Sequence, residues 1–384
     1  METHREKNII KIIMKMGVAG MAETGLSNQG EQEFGACEAL SLSYEDWQEK
    51  VRAWNEPRFR ADQITRWIYV QKVFDCHEMS NLSKGLREKI SYELLMTLPI
   101  LIQEQKSKDG TFKYLWQMAD GQRVESVILN HGGYTTACLS SQVGCPLACS
   151  FCATGGMGFV RNLTSAEILG QFLMMERRAV ELLTGKGNGI NNVVFMGMGE
   201  PFLNMDDVFA SIRTLQHPKM RALGARHITI STSGVIPGIL ALADFELPVR
   251  LSVSLHAPND VLRSKLMPVN KTYSLSSLIE ALRHYKEKTK ERVTFEYVLI
   301  EGVNDDPQLA YEMAALLDGL EPYVNLIRYN PVPGKEAYKR SSETRVKAFC
   351  AALKELRIEF EVRQEKGTDI MAACGQLAVS ANRK

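Results

Sequence analysis

Apolar residues recur at helical spacing over 43–54 and 61–73, so both stretches predict amphipathic helices. Two strand-like runs follow at 112–118 and 123–129. Asp120-Gly121 between them suits the tight turn of a β-hairpin. From 135 onward, strand and helix patterns alternate. Strand-like runs occupy 135–143, 191–196, 227–231, 249–255, 293–300 and 324–329. Helical runs occupy 164–183, 205–215, 236–243, 275–288, 308–317 and 343–356. The first of these helices opens on Thr164-Ser-Ala-Glu167, a capping box whose end residues satisfy each other's orphan backbone donors.

Six strand–helix units predict an α/β fold, with a parallel sheet and its helices outside. Six units fall short of the eight that close a full barrel, so a partial (βα)6 barrel is expected. Its chemistry belongs at the rim where the βα loops gather. The chain has 384 residues, enough for two or three domains at about 150 residues each. Residues 1–40 read as a disordered extension, rich in Gly, Glu, Gln and Ser from 23 onward. A helical accessory domain spans 41–108 and a β-hairpin linker 109–134. The partial barrel spans 135–364, and a C-terminal segment 365–384.

Apolar residues make up 45% and charged residues 24%, which excludes a disordered chain, a collagen and a coiled coil. Lys11 and Lys15 interrupt the apolar run at 9–14, leaving no uncharged core for a signal peptide. No stretch approaches the ~20 apolar residues of a membrane span. A cytoplasmic protein with reduced thiols is expected, a monomer, without membrane contact. The net charge of +1 supplies no global field for nucleic acid. Locally the balance differs. Lys50, Arg52, Arg58, Arg60, Arg66 and Lys72 face only Glu56 and Asp62 across 50–72, with Trp47, Trp54, Trp67, Phe59 and Tyr69 interleaved. Cations with aromatics suit RNA, whose phosphates take charge and whose bases stack. The plainer alternative is a helical domain with an aromatic core.

Eight cysteines are too few for a disulfide scaffold of this length, but Cys138, Cys145, Cys149 and Cys152 crowd together. Cys145, Cys149 and Cys152 have C-x3-C-x2-C spacing directly after the first barrel strand. Three thiolates on a cubane iron–sulfur cluster leave one iron open to a ligand. A structural zinc site, with Cys138 as fourth ligand, is the alternative.

C-x3-C-x2-C after the first strand of a (βα)6 series resembles the radical S-adenosylmethionine (SAM) superfamily. Further segments narrow the likeness. They are Cys138-Leu-Ser-Ser-Gln-Val-Gly-Cys145, Phe195-Met-Gly-Met-Gly-Glu200-Pro201 and Ser231-Thr-Ser-Gly234. Ser254-Leu-His-Ala-Pro-Asn-Asp260, Asn325-Leu-Ile-Arg-Tyr-Asn-Pro331 and Asp369-Ile-Met-Ala-Ala-Cys374-Gly-Gln-Leu377 complete the set. Together they resemble the RlmN/Cfr group of RNA adenine methyltransferases, from about Ser43 to Leu377.

The resemblance implies a 4Fe–4S cluster, one per chain, on Cys145, Cys149 and Cys152, with its open iron binding SAM. Two SAM molecules serve each turnover. Cys374 would carry a methyl group, and a radical formed from the second SAM would activate it for addition to adenine. Cys138 would then resolve the covalent RNA adduct through a transient disulfide with Cys374, and Glu125 would accept a proton. SAM contacts are implied at Gly199, Glu200, Ser231, Ser254, Leu255, His256 and Asn330. Asn55 to Ile64 is similar to the group's N-terminal module, so Arg58, Arg60 and Arg66 become RNA-binding candidates. The expected substrate is large-subunit rRNA, with tRNA as a second target and a flavodoxin-like electron donor. Val143 stands where the C8-methylating members tend to carry cysteine, which favours methylation at adenine C2, whereas Arg328-Tyr329 resembles the C8 side. C8 methylation, and a non-catalytic metal-containing RNA-binding protein, are the alternatives. Cys37, Cys76 and Cys350 are read as structural.

Overall fold

The computed structural model describes residues 37–182 and 189–379. Of the expected extension 1–40, residues 1–36 lie outside the described residues. The last four are ordered: strand β1 (Cys37–Glu38) pairs in parallel with β2 (Leu94–Leu95). Between them lies the helical module. Helix α1 (Tyr44–Ala53) starts on a capping box made by Ser43 and Asp46. Helix α2 (Phe59–Thr65) passes into a π-helical turn at Arg66–Val70, so the run expected at 61–73 starts earlier and ends wider. Helix α3 (Lys84–Glu93) closes the module.

One ten-stranded sheet organises the rest. Strands β3 (Ile100–Lys106), β4 (Phe112–Gln117), β5 (Arg123–Asn130) and β6 (Thr135–Cys138) are antiparallel neighbours. The expected hairpin linker is therefore the flank of the barrel sheet. Its strand β3 was legible only as part of the helical domain, because its exposed run Ile100-Leu101-Ile102 has no alternation. The chain leaves this sheet after β6. Strand β7 (Gln142–Gly144) pairs instead with β8 (Phe159–Asn162) in a separate ribbon. The single strand expected at 135–143 is thus two. Buried Ser140 and Ser141 make the break: the Ser140 hydroxyl donates to the Glu125 carbonyl at 2.5 Å, and Ser141 N–H donates to Met198 O at 2.9 Å.

Helix α4 (Ser165–Leu182) begins at the predicted capping box, with Thr164 N–H donating to Glu167 Oε2 at 2.9 Å and Glu167 N–H donating to Thr164 Oγ1 at 3.2 Å. Strands β9 (Asn192–Phe195), β10 (Ile228–Thr232), β11 (Arg250–Ser254), β12 (Val293–Leu299) and β13 (Tyr323–Arg328) then follow in parallel. Helices α5 (Met205–Gln216), α6 (Ile236–Asp244), α7 (Asp260–Leu266), α8 (Leu275–Thr289), α9 (Pro307–Leu316) and α10 (Glu343–Glu355) connect them and follow β13. All six predicted units are present. A seventh parallel strand, β14 (Glu359–Val362), pairs with β13 and ends the sheet. Its alternation in Glu-Phe-Glu-Val is too short to read in isolation. With β14 at one end and β3 at the other, the barrel stays open. Among the described residues no helix is long and apolar enough to cross a membrane.

Candidate active site

The ends of the parallel strands surround a cavity with about 1000 Å³ of empty space, part of it open to solvent. Cys145, Cys149 and Cys152 line it from the loop after β7. The loop is tight: a side-chain carbon at Gly155 would lie 2.9 Å from the Cys149 backbone. Burial pushes the Cys145 thiol up to about 12, with Glu200 and Cys152 adding to it, and Cys149 higher still, with Cys152 and Cys145 adding. Three crowded, desolvated thiols are a donor set that a soft cation turns into thiolates.

Gly199 and Glu200 line the same cavity beyond β9, and Ser231, Ser254 and His256 line it beside β10 and β11. Gly199 is obligatory there. Its φ is +107°, and a side-chain carbon would meet Gln142 Cβ at 2.6 Å. The Glu200 carboxylate is buried. It accepts from Ser233 N–H at 2.7 Å and Phe202 N–H at 3.2 Å. Burial raises its pKa and those donors oppose the rise. His256 adopts a left-handed φ of +57°, held by Asn304 Nδ2 donating to its carbonyl at 2.8 Å. Its Nδ1 accepts from Val298 N–H at 3.0 Å, and burial drives its pKa down to about 3. Leu255 is the exception among the expected SAM contacts. It is wholly buried and lines neither this cavity nor the next.

Asn330 lines the cavity beyond β13 and leaves its buried Oδ1 without a donor. So does Glu296, a residue the sequence reading missed. Its Oε1 accepts from Ser252 Oγ at 2.9 Å and Asn325 Nδ2 at 2.8 Å, while Oε2 has no hydrogen bond. The signal was a lone carboxylate inside the apolar run Val293-Thr-Phe-Glu-Tyr-Val-Leu299. Buried acceptors without donors cost free energy. They fit a ligand that brings N–H and O–H groups, as the amino acid and ribose of SAM do.

Cys374 stands in the wall between this cavity and a second one, of about 1430 Å³. Cys138 and Arg363 line the second cavity. The Cys374 side chain is open to cavity space, yet protein encloses it at depth, which raises its pKa. The Arg363 guanidinium opposes that rise. Cys138 is buried and pushed up to about 12, Cys374 adding to the effect and Arg363 again opposing. Arg363 also lies 3.6 Å from Glu296 Oε2. No local pattern marked it. All eight cysteines are free thiols.

Glu125 lines neither cavity. It is buried on β5, 3.1 Å from Lys113 Nζ, and accepts from Ala378 N–H at 3.0 Å. Burial raises its pKa against the pull of Lys113. In the helical module Trp47, Trp54 and Tyr69 are core residues, as the plainer alternative held. Phe59 is exposed beneath the Arg60 guanidinium, 5.0 Å from its ring centre. Arg58 donates to Gln48 Oε1 at 2.9 Å, Arg60 to Gln63 Oε1 at 2.7 Å, and Arg66 is exposed.

The Radical SAM superfamily model matches residues 139–314, and the ribosomal RNA large subunit methyltransferase N-terminal domain matches 38–95. A relative from Thermotoga neapolitana, named "Probable dual-specificity RNA methyltransferase RlmN", is 47% identical over 339 residues, covering 88% of this chain and 96% of its own. A relative of the same name from Bacillus thuringiensis is 42% identical over 344 residues, covering 90% and 94%. The crystal structure of a radical SAM methyltransferase from Sphaerobacter thermophilus superposes with a TM-score of 0.84 at 44% identity, over 89% of this chain and 99% of that one. Cysteine loop, cavity and relatives agree: this chain belongs to the RlmN family of radical SAM RNA methyltransferases.

Proposed function

We propose that this protein methylates C2 of an adenine in large-subunit rRNA and in tRNA, with Cys374 as the methyl carrier. The observation behind this reading is the place of Cys374 in the wall shared by the two cavities. One side faces the three clustered thiols and the other faces Cys138. A carrier that collects a methyl group beside SAM and delivers it to RNA needs both.

Cys145, Cys149 and Cys152 would hold one 4Fe–4S cluster, and two SAM molecules would serve each turnover. When bound, these groups supply the hydrogen abstraction that an unreactive ring carbon requires. Glu200 pairs with the SAM ammonium, while Glu296 and Asn330 take its remaining donors. His256 stays neutral and offers its Nε2 proton to the ligand. The Cys374 thiolate attacks the SAM methyl carbon, forming an S–CH₃ bond as the sulfonium bond breaks. After the methyl carbon has joined adenine, the Cys138 thiolate would attack Cys374 sulfur. The S–C bond breaks with its electron pair on carbon, which takes up a proton to become the methyl group, and the resulting Cys138–Cys374 disulfide is returned to thiols by an external dithiol. Glu125, with the raised pKa of a proton acceptor, takes the proton that the ring carbon loses. Arg58, Arg60, Arg66 and the exposed Phe59 contact RNA. The electron comes from a low-potential carrier.

One anaerobic assay tests the reading. Cluster-loaded protein is mixed with methyl-labelled SAM and an rRNA fragment, and the methyladenosine isomer is identified by mass spectrometry. Label at C2 is expected. Label at C8 would assign the alternative regiochemistry, and no label on RNA or protein would leave only a binding protein. Cys374→Ala should neither self-methylate nor form product, and Cys138→Ala should trap RNA covalently.

A further inference from the structure

From Gly144 to Val160 the chain carries no charged residue, yet much of this stretch faces solvent. Pro146, Ala148 and every residue from Gly156 to Val160 are exposed, Phe159 by 46% and Val160 by 57%. Exposed apolar side chains that lie next to one another usually mark a contact surface. This surface is the outer side of the cysteine loop. Cys145 N–H donates to Gly158 O at 2.8 Å. Gly144, at φ +76°, packs so closely that a side-chain carbon would fall 1.9 Å from that same oxygen. Cysteine loop and apolar ribbon are therefore fastened to each other; the cysteines line the cavity and residues 156–160 are exposed.

Two lysines stand at the rim, one of them next to exposed Glu336. Lys335 Nζ lies 3.9 Å from where a side-chain carbon at Gly156 would sit. Lys265 is exposed beside Leu266, whose carbonyl accepts Ser150 N–H at 2.9 Å. Neither lysine has an ion-pair partner among the described residues. Arg161 is different, being committed to Asp120 and Glu167. A small apolar face with unpaired cations at its edge fits a weak, electrostatically steered encounter of the electron-transfer kind.

We propose that Pro146, Ala148, Met157, Phe159 and Val160 form the docking face for a small acidic one-electron carrier, steered by Lys265 and Lys335. The proposal rests on the cluster assignment above. The carrier, a low-potential flavin or iron–sulfur protein, loses one electron, and the cluster gains it. No bond is made or broken. Docking at this face brings the carrier against the outer side of the cysteine loop, leaving the cavity side free for SAM and RNA.

The test is anaerobic stopped-flow mixing of cluster-loaded protein with flavodoxin hydroquinone, following loss of the cluster's visible absorbance. Dithionite serves as the small reductant that needs no docking. Val160→Glu and Lys335→Glu should each slow bleaching by flavodoxin about tenfold and weaken flavodoxin binding in calorimetry by a similar factor. Iron content and dithionite bleaching should match wild type. Added salt should slow wild type more than Lys335→Glu. Wild-type flavodoxin rates in Lys335→Glu and Val160→Glu overturn the docking face and leave the enzymatic reading intact. Loss of RNA affinity with unchanged flavodoxin rates assigns the face to RNA and also overturns it. A wild-type protein that binds no iron defeats the cluster assignment instead.

Discussion

His256 shows how one buried side chain sets a pH dependence. In the unfolded chain its imidazole titrates near 6.5, about the free value; in the fold, burial and the Arg263 guanidinium hold it near 3. Between those values the unfolded chain binds a proton that the folded one refuses. Stability therefore falls as pH drops through that window, by up to about 1.4 kcal/mol per pH unit. His256→Gln should lose urea-unfolding free energy less steeply than wild type between pH 6.5 and 4, and parallel profiles would contradict the assignment. Lys113 and Glu125 offer a second residue-scale test. Both side chains are nearly covered and lie 3.1 Å apart. Lys113→Met strands a buried carboxylate at a cost of about 3 kcal/mol, and adding Glu125→Gln should recover most of it. Urea titration of the two variants decides this. These pairings were not legible in the sequence, where Glu125 was a carboxylate on a hairpin and Lys113 an unremarked neighbour.

At the scale of elements, the loop carrying Cys374 has almost no regular structure of its own and borrows its shape. Gly367 N–H donates to Asp109 Oδ2 at 2.8 Å, and Ser107 Oγ donates to Asp369 Oδ1 at 2.6 Å. Both acceptors belong to a junction between this loop and the β3–β4 turn. Asp109→Ala with Asp369→Ala should leave the melting temperature within a few degrees, since the bonds lie outside the core. Amide exchange over 367–378 should nevertheless quicken several-fold, as local opening becomes easier. Unchanged exchange there would show that the barrel alone holds the loop. The same scale separates what neighbouring residues encode from what distant partners decide. A repeating βα pattern is a local signal, so all six units were visible in the sequence. Whether a hairpin hangs free or extends the sheet depends on partners far away, so 109–134 passed for a linker and β3 for part of the helical domain.

For the whole molecule, the C-terminal segment closes the cysteine loop from across the chain. Ala153 N–H donates to Gly375 O at 2.8 Å, and Thr154 Oγ1 donates to Leu377 O at 2.6 Å. Both donors sit directly after Cys152. A chain ending at residue 364 should keep its far-ultraviolet circular dichroism but hold clearly less iron after anaerobic reconstitution and desalting. Equal iron content would mean that the loop is self-sufficient. The sequence by itself determined the alternation of strands and helices, the three-thiol loop and the family motifs, because each is written in neighbouring residues. Only the tertiary structure decided that Cys374 divides two cavities, that Glu296 faces one and Arg363 the other, and that Glu125 grips the C-terminal segment. Those relations join positions up to hundreds of residues apart, and they exist only once the sheet has brought its strand ends to a common rim.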